Sequence, residues 1–145
     1  VPKLGVIDQA ISGERWIGVS GQVTTLNGKP VKTRPCEDLS AASICSTTPA
    51  MFNDAPVYKH FDEGKFAWGG DCYMYGLLAS GFLDMTLEAS LKPYDFAALV
   101  PVVEGAGGLI CDYDGQPLTL KSDGRVFALG DPSLKDAVLK KLKQD

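Results

Sequence analysis

From residue 66 onward the chain alternates runs of two textures. Strand-like KFAWGG, DMTLEAS, GLICDYD and GRVFALG are interleaved with helix-like CYMYGLLASGF, YDFAALVPVVEGA and SLKDAVLKKLKQ. That alternation predicts α/β layering, because each helix must bury its apolar stripe against a sheet. The segment before it differs. KLGVIDQ and RWIGVSGQVTTLNG are β-branched and aromatic, and they are broken by ISGE and NGKP, whose Gly and Asn suit tight turns. They predict an antiparallel β region. Between the two textures, AASICSTT is a short strand candidate and Pro49 can open a helical turn through Ala50–Phe52, while residues 53–65 read as helix or loop. Ser133 is the expected N-cap of the last helix, and Lys140, Lys141 and Lys143 suit its C-terminal dipole.

A chain of 145 residues fits one domain of roughly 100 to 200 residues and can bury a core. With 14 basic and 18 acidic residues and a net charge of -4, it offers no basic stripe for a phosphate backbone, so no nucleic-acid partner is expected. No apolar run reaches the eighteen or so residues that span a bilayer, and VPKLGVIDQ lacks the pattern of a signal peptide. No membrane partner is expected, and the reading is a soluble, cytoplasmic protein. Cys36, Cys45, Cys72 and Cys111 form no C-x-x-C pair, and His60 is the only histidine. They read as reduced packing thiols rather than a zinc site.

The candidate chemistry gathers at element ends. Asp95 follows Lys92-Pro93-Tyr94 and heads an apolar helix, which allows two roles: a carboxylate capping backbone N–H groups, or a metal ligand. Pro101, six residues on, should kink that helix. The EGAGG at its end supplies glycines for a left-handed helix terminus, with a phosphate loop as the sharper alternative. Gly69, Gly70 and Asp71 stand where a strand hands over to a helix, a place where backbone N–H groups can meet an oxygen-rich ligand. Glu88 ends the strand DMTLE.

Taken together, GGDCYMYGLLASG, the Glu88-x6-Asp95 spacing and KPYDFAALVPVVEGAGG resemble the C-terminal half of the inositol-monophosphatase superfamily. The resemblance covers essentially the whole chain. It departs from the family pattern in carrying Tyr94 where a Trp is usual and Glu104-Gly105-Ala106-Gly107-Gly108 in place of Glu-Ala-Gly-Gly. It implies the C-terminal part of a layered αβαβα fold: residues 1–40 as antiparallel strands of the first sheet, and 41–145 as an α/β subdomain. It also implies Mg²⁺-dependent hydrolysis of a small phosphate monoester, with Asp95 as a metal ligand and Gly69, Gly70, Asp71 and Glu88 as substrate-binding residues. Within the superfamily, GGDCY and KPYDF are most similar to histidinol-phosphate phosphatases. Asp71 and Glu88 would then pair with the substrate's cationic end, and inositol phosphate is the alternative substrate. The family's Glu-Glu pair and Asp-Pro-x-Asp-Gly-Thr motif do not occur in these residues; DPSLKD at 131–136 lacks the Gly-Thr. The catalytic set is therefore incomplete in this chain. The expectation is a C-terminal fragment with little turnover alone, one that forms a homodimer or associates with the missing first half.

Overall fold

The computed structural model describes residues 1–53, 55–62 and 65–143. β1 (Leu4–Gln9) and β2 (Glu14–Val19) form an antiparallel hairpin, which continues through β3 (Thr25–Leu26) and β4 (Lys29–Pro30) into a four-stranded sheet. Asn27, at φ 49°, locks the hairpin: its side-chain oxygen accepts from the Arg15 N–H and its amide donates to the Gly13 carbonyl, both at 2.9 Å. Gly5 and Gly18 face each other across β1 and β2.

The second sheet holds β5 (Ile44–Ser46), β6 (Phe66–Trp68), β7 (Met85–Glu88), β8 (Leu109–Asp112) and β9 (Val126–Leu129), in the order β6-β5-β7-β9-β8. β5 runs parallel to both β6 and β7, so the C-terminal ends of these three strands lie along one edge. β9 is antiparallel to β7 and β8. Between the sheets lie α1 (Tyr73–Ala79), α2 (Pro93–Phe96) and α3 (Leu99–Gly105). Buried Ile7 and Trp16 of the first sheet share one apolar cluster with Met74, Leu78, Val102 and Val103. On the far side of the second sheet, Met85, Leu87 and Phe127 pack on Leu134 and on Val138 of α4 (Lys135–Leu142). The layering is sheet, helices, sheet, helix.

Trp16 fixes the first sheet to α1. It is buried, its indole N–H donates to Ser80 Oγ at 2.8 Å, and its ring meets Tyr73 edge-on at 5.5 Å. Gly76 leaves it room, since a Cβ there would lie 2.8 Å from the indole.

Several sequence expectations are corrected. The single helix expected over 94–106 is broken at Ala97-Ala98. Pro101 has no N–H to give the Ala97 carbonyl, and its ring crowds that turn. The last helical segment begins with a 3₁₀ turn (Pro132–Leu134) capped by Asp131, whose carboxylate accepts the Ser133 N–H at 3.0 Å, so Ser133 is not the cap. Residues 53–65 form a 3₁₀ turn over Val57–His60; Asp54, Glu63 and Gly64 of that stretch lie outside the described residues. His60 Nδ1 lies 2.9 Å from the Lys141 carbonyl and ties this turn to α4. All four cysteines are free and three are buried as packing thiols, but Cys72 is exposed. Among the described residues, no helix is long and apolar enough to cross a membrane.

Candidate active site

The shared edge of β5, β6 and β7 opens on a cavity of about 390 Å³, lined by Thr47, Asp71, Tyr75, Glu88, Tyr94 and Asp95 among others. Ligands of α/β sheets commonly bind outside the carboxyl ends of parallel strands, because helix starts and loops converge there.

Glu88 is the buried carboxylate of this cavity, 2 % exposed at the end of β7. One of its oxygens accepts the Thr47 N–H at 2.6 Å and the Ser46 hydroxyl at 3.1 Å; the other accepts the Thr47 hydroxyl at 3.0 Å. The strand end itself is held by the Tyr113 hydroxyl, which donates to the Glu88 carbonyl at 3.0 Å. Burial pushes the Glu88 carboxyl above the ordinary carboxylate range. The Thr47 and Ser46 donors pull the other way, and the charge of Asp71 adds to the rise. The folded state therefore holds a proton more tightly than the unfolded chain. Stability should fall as pH rises from about 4 through the raised value and be level above it. Glu88→Gln removes the charge while keeping an acceptor. Its melting temperature should match that of the natural protein near pH 4, exceed it increasingly as pH rises through the raised value, and stay ahead by a constant margin above it; a gap that does not change with pH would contradict this electrostatic account.

Asp71 is exposed and sits in a left-handed conformation at φ 47°, just before α1. The turn is fastened to the end of β5, because the Gly69 N–H donates to the carbonyls of Ser46 at 3.0 Å and Thr47 at 2.9 Å. Gly69 has φ 91° and open space at its Cβ position, whereas a Cβ on Gly70 would lie 2.6 Å from Cys45 Sγ. These two glycines shape and seat the turn and do not line the cavity; the turn delivers Asp71 to it.

Asp95, exposed in the first turn of α2, accepts the Lys92 N–H through one oxygen at 2.7 Å, which is the capping geometry. Asp71, Glu88 and Asp95 thus share one cavity. Among the described residues, no three His, Cys, Asp or Glu side chains converge as a metal site. Asp95 fits a hard cation as a single oxygen donor, and completing an octahedral Mg²⁺ shell would need waters and further carboxylates. The EGAGG segment is accounted for by the helix end: the Gly107 N–H donates to Glu104 and the Gly108 N–H to Val103, with Gly107 at φ 94°.

Thr47 and Tyr75 were not singled out in the sequence. The hydroxyl-rich CSTTP at the end of a predicted strand was the available signal for Thr47. Tyr75 lies in an apolar helix pattern, and its buried hydroxyl, like that of Thr86, has no hydrogen-bond partner among the described residues.

The inositol monophosphatase family model matches residues 1–145. The chain is 44% identical over 153 residues to the bifunctional phosphatase IMPL2, chloroplastic, of Arabidopsis thaliana, covering 98% of this chain and 44% of that protein. It is 32% identical over 131 residues to a histidinol-phosphatase of Chlorobaculum parvum, covering 87% and 51%. The structure superposes on an inositol monophosphatase from Zymomonas mobilis with a TM-score of 0.92 at 43% identity, covering 98% of this chain and 58% of that one. This chain belongs to the inositol monophosphatase family, and its fold is the family fold. It spans about half the length of the relatives it matches.

Proposed function

We propose that this chain supplies the substrate-discriminating part of a Mg²⁺-dependent phosphomonoesterase acting on histidinol phosphate. The observation that carries the reading is the pair of carboxylates lining one cavity, Asp71 exposed and Glu88 buried. Two like charges that oppose each other are relieved by a cation, and an ammonium or imidazolium group can bond them with charge assistance. The neighbouring Asp95 is the residue to hold Mg²⁺. When bound, the metal activates water and offsets charge at the phosphate. The chain's own residues orient the substrate: Thr47 and Ser46 fix the Glu88 carboxylate, and the Gly69-Gly70 turn fixes Asp71.

The family's remaining carboxylates and phosphate-holding motif lie outside these residues, so turnover needs the rest of a phosphatase. Leu4 and Val6 of β1 are 60% and 44% exposed, an apolar strand face that such a portion would cover. The same face favours a second reading, a non-catalytic module bound by a partner chain. A third reading is an inositol or related polyol phosphatase, supported by the likeness to the Zymomonas mobilis enzyme.

The test is phosphate release with Mg²⁺ from histidinol phosphate and from inositol phosphate, by this chain joined to the N-terminal portion of the Arabidopsis relative. Histidinol phosphate should be preferred. Asp71→Asn should lower kcat/KM several-fold or more for that substrate alone, in keeping with about 1.5–3 kcal/mol for a hydrogen bond to a charged group. A preference for inositol phosphate would overturn the proposal.

A further inference from the structure

We infer that Tyr94 is a specificity-determining residue of this cavity, the aromatic wall on which a flat cationic ring lies while Asp71 and Glu88 take its charge. The inference rests on the reading of the cavity as a site for a cationic substrate. Tyr94 lines the same cavity as the two carboxylates, yet it is 81% exposed. Its ring therefore adds little to the core and is open to a ligand. The backbone beneath it is fixed: Pro93 presets the first turn of α2, the Asp95 carboxylate holds the Lys92 N–H, and Phe96 is buried in the core. An exposed aromatic face on such a backbone attracts a cation, and a planar heteroaromatic cation can both stack on the ring and donate to a carboxylate. The apolar side chains of Leu91 and Leu99 on the same cavity suit the edges of such a ring better than a ring of hydroxyls. The ligand class is thus an imidazole-bearing amine; a neutral polyol would gain little from Tyr94.

The test is a nuclear magnetic resonance titration of the 145-residue chain with L-histidinol, with ethanolamine and with myo-inositol. The natural chain should bind L-histidinol most tightly and shift its imidazole protons upfield through the tyrosine ring current. Tyr94→Leu should weaken L-histidinol about three- to tenfold and remove the upfield shift. Tyr94→Phe should retain both, and ethanolamine should bind the natural chain and Tyr94→Leu alike. Because Tyr94 is exposed, these variants leave the core untouched. Equal binding of L-histidinol by Tyr94→Leu, with the upfield shift kept, overturns the inference while the cationic-substrate reading stands. Binding of myo-inositol in preference to L-histidinol, or no binding of L-histidinol, overturns both.

Discussion

Exchanging Asp95 for asparagine should cut turnover by the joined enzyme at least about a hundredfold while barely changing the melting temperature of the chain. The two effects separate because the observed cap and the proposed metal ligand ask different things of the carboxylate. As a cap it needs only one oxygen to accept the Lys92 N–H, now made at 2.7 Å, and an asparagine carbonyl can replace it. The stability loss is then the missing charge near a helix start, about 0.3–1 kcal/mol. As a metal ligand the anion itself matters, since the several kcal/mol that a metal contributes to charge stabilisation depends on its being held, and each 1.4 kcal/mol is tenfold in rate. Raising Mg²⁺ should recover part of the asparagine variant's rate. Asp95→Ala should lose about 1 kcal/mol of stability as well, because the cap goes with the charge. Full activity in the asparagine variant would leave Asp95 as a cap alone.

The ambiguity at Asp95 was visible in the sequence because both functions demand the same residue at the same place. Position along a strand or helix is a local property, so Asp71, Glu88 and Asp95 could each be put at an element end, and the parallel strands then bring those ends together. What the sequence withheld depends on distant partners. Nothing local pairs Glu88 with Ser46 and Thr47, more than forty residues earlier. The bidentate Arg34–Asp84 pair, with both contacts at 2.6 Å, joins residues fifty apart. Helix boundaries moved for short-range reasons that propensity underweights: Pro101 leaves the Ala97 carbonyl without its usual donor, and Asp131, two residues before Ser133, captures the first free N–H of the terminal turn. In the sequence Tyr94 is a variation on a family pattern; its exposure beside the cavity depends on the fold.

The largest effect on folding is expected at a residue that reads as an ordinary strand glycine. Gly18 pairs with Gly5 across β1 and β2, and both turn toward α3. A Cβ at Gly18 would run into the backbone of Pro101 and Val102, and one at Gly5 into the carbonyl of Ala98. Neither glycine is there for a left-handed conformation; together they open a window through which helix backbone touches sheet. Thr24 seals the contact by donating its hydroxyl to the Val102 carbonyl at 2.8 Å. Overpacking a core commonly costs about 1–3 kcal/mol when side chains can shift. Here the obstacle is backbone, so Gly18→Val should reach or exceed the upper end and lower the melting temperature by roughly 10 °C or more. Val6→Ala, on the exposed face of the neighbouring strand β1, should move the isolated chain by no more than about 0.5 kcal/mol. Thermal unfolding of the two variants beside the natural chain decides the matter. A Gly18→Val protein that melts with the natural one would mean that α3 does not lie against the sheet through these glycines. The cavity would lose its frame with them, because α3 is held by the sheet on one side and carries the Asp95 turn at its head on the other.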